Sequence, residues 1–194
     1  MRNPFRRKNL DLRFAPALVT GLVLIAISLP TALSVSIGAP LVAAGVAIRA
    51  WAAGHLVKTV HFTVTGPYGH LRHPLYLGTL SIGLGIALML GGLPALIGAA
   101  ALLVWFGLVY FPRKEQIESA RLFAHYGEVY ARYRDQVPAL IPRARRWRPD
   151  PDFAEKVDTA SRWRLDRFDA NNEQGSVIAV GFAVALVWLR AGLA

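Results

Sequence analysis

The sequence predicts an all-α, polytopic integral membrane protein with about five transmembrane helices and cytoplasmic helical segments. Three observations carry that expectation. The chain is 54% hydrophobic with a mean hydropathy of +0.37, above an ordinary soluble domain. Its apolar residues are segregated into long blocks, as a bilayer core of about 30 Å requires at 1.5 Å per residue. Its 22 Lys and Arg residues outnumber 12 Asp and Glu and fall between those blocks, where cytoplasmic loops carry them.

Residues 1–13 form a basic N-terminus, with Arg2, Arg6, Arg7, Lys8 and Arg13 against Asp11. The apolar block 14–33 is long enough to span. It is also too long for the core of a cleavable signal peptide, and none is expected. Pro16 falls in its first turn, where proline is tolerated. Residues 34–40 read as a short turn, and a second span covers 39–54 with Arg49 near its inner end. A polar stretch punctuated by Gly and Pro, 55–74, leads to the third span, 75–90. Residues 91–94 make a tight connection to the fourth span, 95–111. Both outer turns lack Lys and Arg, which places the N-terminus, 55–74 and 112–174 on the cytoplasmic side of an inner or plasma membrane.

Residues 113–135 read as one helix, because Leu122, Tyr126, Val129 and Tyr133 recur at three- and four-residue spacing. Pro138 and Pro142 end that pattern. Residues 152–169 read as an amphipathic helix with Phe153, Val157, Ala160, Arg164 and Phe168 on one side. It lies either in the membrane interface or on the protein's own cytoplasmic surface. Residues 171–175 punctuate the chain before a fifth span, 176–193. The expected organisation is a basic N-terminus (1–13), a four-span core (14–143), a cytoplasmic or interfacial segment (144–174) and a fifth transmembrane helix (175–194).

Net charge is +10. In a soluble chain this would suggest nucleic acid. Here the hydropathy argues for membrane lipids as the partner and against nucleic acid. The absence of cysteine excludes disulfides, thiolate metal sites and thiol-based covalent catalysis. His70 and His73 are three apart and His55 and His61 six apart, with no carboxylate near them in sequence. That spacing matches no strong metal pattern, so no metal site is expected.

Chemistry concentrates in two clusters. The first runs from His61 to Gly78 and holds three histidines, Arg72, Tyr68 and Tyr76. Gly66-Pro67 sets a turn, and Pro74 suits the first turn of the third span. The N-terminus of that helix then offers free N–H groups to an anionic group such as a cofactor carboxylate. Read alone, the cluster is also compatible with an interfacial belt. The second cluster is Arg113, Lys114, Glu115 and Glu118, followed by Tyr126-Gly127, Tyr130, Tyr133, Val137-Pro138 and Ile141-Pro142. Taken alone, it reads sooner as a solvated helix face with Glu118 and Arg121 paired than as a site.

Together these residues, with Arg49 and Trp51 upstream, resemble the isoprenylcysteine carboxyl methyltransferase family and the related phospholipid N-methyltransferases. The resemblance covers roughly residues 45–143. It implies a polytopic membrane enzyme using S-adenosyl-L-methionine, with a cofactor pocket built from both clusters. By position it implies that His61, Thr63, Val64, Tyr68, His73, Pro74, Leu75, Tyr76 and Glu118 bind the cofactor. It implies that Arg113 or Lys114 faces the charged group of the acceptor and serves catalysis. Ser119 stands where the family has a second glutamate, so Glu118 acts alone or with Glu115.

The expected reaction is methyl transfer to a lipophilic acceptor entering from the bilayer, a prenylcysteine-type carboxylate or alternatively a phosphatidylethanolamine-type amine. In-line transfer from a sulfonium needs positioning and water exclusion more than a nucleophile–base pair. Two competitors are a sterol-reductase-like nicotinamide enzyme and a non-enzymatic membrane scaffold or transporter. The first lacks a clear extra nucleotide region. The second usually needs ionisable groups near mid-membrane.

Overall fold

The computed structural model describes residues 15–57 and 62–192. Among them the chain is predominantly helical. The helices are α1 (Ala15–Ile27), α2 (Ala32–His55), α3 (Pro74–Met89), α4 (Gly92–Trp105), α5 (Phe111–Tyr126), α6 (Glu128–Gln136), α7 (Leu165–Ala170) and α8 (Glu173–Gly192). Two two-residue strands, β1 (Phe62–Thr63) and β2 (Val157–Asp158), pair in parallel. They are the one departure from an all-helical chain among these residues.

Among the described residues, three helices are long and apolar enough to cross a membrane: α2, α8 and the continuous rod Gly92–Tyr126 formed by α4 and α5. Pro74–Met89 is apolar but shorter, and α1 has 13 residues. The basic residues 1–13 lie outside the described residues.

The turn between the first two apolar helices is not at 34–40. Helix α1 stops at Ile27, and α2 begins at Ala32 behind a capping box. Thr31 Oγ1 accepts from the Ser34 N–H at 3.1 Å, and Ser34 Oγ accepts from the Thr31 N–H at 2.9 Å. Pro40 therefore lies inside α2. Its missing N–H leaves one ladder bond unmade, which apolar spanning helices tolerate when neighbours support them.

That neighbour is α3. Gly38 faces Gly85, and Gly45 faces Gly78. A Cβ on Gly45 would stand 2.7 Å from the Gly78 carbonyl oxygen, and one on Gly85 2.7 Å from that of Gly38. Small residues let the two backbones approach closely, and Ser81 Oγ crosses the seam to the Leu41 carbonyl at 2.7 Å.

Between α4 and α5 the rod passes through a π-helical turn, Phe106–Tyr110. The Phe111 N–H reaches back to the Phe106 carbonyl, and Pro112 follows without an N–H to give. One extra residue in a turn rotates everything beyond it by about 100°, which sets the face that α5 presents. The expected helix 113–135 is broken at Gly127, whose φ of 55° and ψ of −129° suit glycine alone.

Residues 152–169 are not one amphipathic helix. They form a 3-10 segment (Pro151–Lys156), β2, an irregular stretch and α7. Proline at its start and the pairing with β1 divide it. The stretch around α7 docks on α2 as a strap. Trp163 Nε1 donates to the Ala50 carbonyl at 2.9 Å, and the Arg164 N–H to that of Gly54 at 2.9 Å. Arg167 Nη1 donates to the His55 carbonyl at 3.4 Å. Asn171 Nδ2 donates to those of Ala53 and Leu56 at 2.9 and 3.1 Å. The carbonyls of Ala53, Gly54 and His55 are ones that a helix end leaves without partners.

Two buried clusters result. One, Val35, Val42, Met89, Leu90 and Val187, joins α2, α8 and the end of α3. The other gathers Phe62, Val64, Val129, Tyr130, Tyr133, Val137, Trp147 and Val157 at the polar end of the molecule. The candidate site lies beside the second.

Candidate functional site

The loop before α3 is held rigidly. Pro67 and Tyr68 lie in a 3-10 turn, Gly66–Gly69. Gly66 has φ of 57°, and a Cβ on it would stand 2.6 Å from the His55 ring, so only glycine fits. Residues 136–147 run alongside and pair with the loop through backbone. The Arg72 N–H donates to the Pro138 carbonyl at 2.9 Å, and that of His73 to Ala139 at 3.0 Å. The Arg143 N–H donates to the His70 carbonyl at 2.9 Å, and that of Trp147 to Gly69 at 2.8 Å. Tyr133 Oη donates to the Tyr68 carbonyl at 2.6 Å. The two proline-containing motifs therefore form one scaffold.

Helix α5 lays Glu115 and Glu118 against this loop. His73, the residue capping α3, is bridged between them. Its Nε2 contacts Glu115 Oε2, and its Nδ1 lies 3.5 Å from Glu118 Oε2. Arg72 Nη1 pairs with Glu115 Oε1 at 2.6 Å. Tyr76 Oη donates to Glu118 Oε1. Ser119 Oγ donates to Glu115 Oε1 at 3.2 Å and sits 2.6 Å from Tyr130 Oη. Burial alone would push the His73 imidazole down, but its hydrogen bonds to Glu115 and Glu118 outweigh that and hold it above its ordinary value.

These groups wall a cavity of about 560 Å³, within the range of about 300–1,000 Å³ found for ligand pockets. Aromatic rings dominate the lining: Phe62, Tyr68, Tyr76, Tyr126, Tyr130 and Tyr133. The two residues that follow α2, Leu56 and Val57, complete the wall. The Tyr68 hydroxyl is buried and finds no hydrogen-bond partner among the described residues. Burial and nearby Glu118 push its ionisation upward, so it stays a neutral donor.

Of the residues expected from sequence, Thr63, Tyr68, His73, Pro74, Leu75, Tyr76 and Glu118 line this cavity. Thr63 Oγ1 also accepts from the Val57 N–H at 3.2 Å. Val64 is 1% exposed and packs in the adjoining core rather than on the cavity wall. His61 lies outside the described residues. Arg113 and Lys114 are exposed and are not among the lining residues. Sequence reasoning did not assign Arg121, Leu122 and His125 to the site, yet all three line the cavity from α5. The signal was available: with Glu118 and Tyr126 they recur at three- and four-residue spacing, one face of a helix.

Comparison with known proteins adds one relative. A stretch of 83 residues, 42% of the chain, is 34% identical to the protein-S-isoprenylcysteine O-methyltransferase of Schizosaccharomyces pombe. The match covers 34% of that protein, so the chain spans about a third of the length of the curated relative it matches. No protein-family model matches the chain, and no solved structure matches it.

Proposed function

We propose that the chain is a membrane methyltransferase that uses S-adenosyl-L-methionine and methylates the carboxylate of a lipophilic, prenylcysteine-type acceptor. One observation carries this reading. Glu118, bonded by Tyr76 and faced by His73, stands on the wall of an aromatic cavity that also holds the unpartnered Tyr68 hydroxyl. The residues fit the donor's chemistry. A carboxylate suits its ammonium or ribose hydroxyls, aromatic rings suit its flat purine, and a buried free hydroxyl suits a polar atom brought by a ligand. The S. pombe relative supports the same class.

When bound, the cofactor supplies a methyl group already activated on a sulfonium. Glu118, Tyr76 and His73 hold and orient it, and the ring of tyrosines excludes water. A carboxylate acceptor brings its own lone pair, so no general base is required of the chain. Arg113 and Lys114, exposed at the start of α5, are proposed to meet the acceptor's charge as it arrives from the membrane edge. The reading places α1, α2, α3, α4 and α8 across the bilayer, with 55–74 and 112–174 on the cytoplasmic side.

Substituting Glu118→Ala or His73→Ala should abolish binding of labelled S-adenosylmethionine by the purified protein. Unchanged binding in both variants would remove these residues from the site. The cofactor should also raise the thermal midpoint of the solubilised protein. Stabilisation by neither it nor NADPH would favour a scaffold.

A further inference from the structure

Glu173 opens α8, outside the cavity wall, yet its side chain is only 5% exposed, an unusual position for a carboxylate. Arg49 of α2 meets it with two parallel bonds: Nε to Oε2 at 3.0 Å and Nη2 to Oε1 at 2.7 Å. This fork-on-fork geometry fixes direction as well as contact. The third nitrogen, Nη1, turns to α3. It donates to the Leu75 carbonyl at 3.2 Å and to Thr79 Oγ1 at 2.6 Å. Thr79 Oγ1 itself donates to the Leu75 carbonyl at 2.8 Å.

The turn so gripped carries Leu75 and Tyr76 into the cavity. Arg49 therefore braces from behind the same turn whose Tyr76 holds Glu118 in front. Gly78 keeps the path open, because a Cβ there would stand 2.5 Å from Arg49 Cγ. A hydrophobic contact would dock α8 as firmly as a buried ion pair does. It would not tie α8 to one particular carbonyl of α3.

We propose that Glu173 is a positioning residue for the candidate site, acting through Arg49 on the first turn of α3. The proposal rests on the methyltransferase reading only for its ligand. It assigns α8 a task in the site that no residue of its own on the cavity wall performs.

The test uses the full-length protein in detergent with Glu173→Gln and Thr79→Val. Two quantities are read: hydrogen exchange at the backbone amides of residues 75–79, and the Kd for S-adenosylmethionine. Thr79→Val leaves the Arg49–Glu173 pair in place and removes only the hydroxyl it acts on. Both variants should exchange faster at 75–79 and bind the cofactor on the order of tenfold more weakly, since small misplacements in a site are costly. If Glu173→Gln lowers the thermal midpoint but leaves exchange at 75–79 and the Kd as in the parent protein, the pair is a structural staple and the proposal falls. If Glu173→Gln does not accumulate, the result with Thr79→Val decides. A parent protein that fails to bind the cofactor overturns the methyltransferase reading instead, and exchange at 75–79 still decides the positioning role.

Discussion

Both ring nitrogens of His73 face carboxylates, so the imidazole is favoured in its charged form. Its pKa in the folded protein lies above that of the unfolded chain, which binds fewer protons there. Its contribution to stability is full below the free-imidazole value of about 6.5 and is lost as pH rises through the raised folded value. The thermal midpoint should therefore fall across that window, and His73→Gln should flatten the dependence. A midpoint insensitive to pH in the parent protein would mean that His73 is neutral in the fold. Much of this cluster was legible in the sequence, because His73, Pro74 and Tyr76 form a compact motif at a helix entry. Two parts were not. Glu115 lies 42 residues from His73, and only the folded rod brings it to Nε2. Arg113 and Lys114 carry the right charge, but the face that α5 turns to the cavity begins at Glu118.

At the level of elements, two seams set the geometry. The first is α2 against α3, where glycines meet in pairs seven residues apart. Gly45→Val would drive a branched side chain into the Gly78 backbone, costing about 1–3 kcal/mol as overpacking does. A thermal midpoint equal to that of the parent protein would show that the helices can separate freely. The second is the break between α5 and α6. Gly127→Ala should destabilise by about 1–3 kcal/mol, because its backbone conformation is open only to glycine. That loss should appear without any change in cofactor contacts, since no side chain is removed. Helical periodicity revealed most of these elements. It missed the start of α2, where the Thr31–Ser34 capping box outranks the more conspicuous Pro40, and it could not foresee β2, whose partner lies 95 residues earlier.

For the molecule as a whole, the absence of cysteine makes orientation directly testable. In the proposed topology Leu93→Cys sits at an outer turn and Arg145→Cys on the cytoplasmic side. A membrane-impermeant thiol reagent applied to intact cells should label the first and spare the second until the cells are opened. Labelling of both before opening, or in the reverse order, would overturn the orientation. The segregation of charge was legible from composition. The strap around α7 was not, because its hydrogen bonds to α2 come from scattered side chains and one backbone N–H that leave no periodic trace.

That strap has a consequence for the order in which the protein is made. The carbonyls toward the end of α2 wait for donors 110–118 residues further along the chain. At about 5–20 residues per second, α2 emerges from the ribosome on the order of 10 s before its cap exists. The wall formed by Leu56 and Val57 stays unfinished through that interval. A chain released before residues 163–171 are synthesised could insert its early apolar segments and still lack a closed cavity. Ligand-dependent stabilisation would then distinguish finished from unfinished copies, and a quality-control protease would meet an exposed helix end only on the latter.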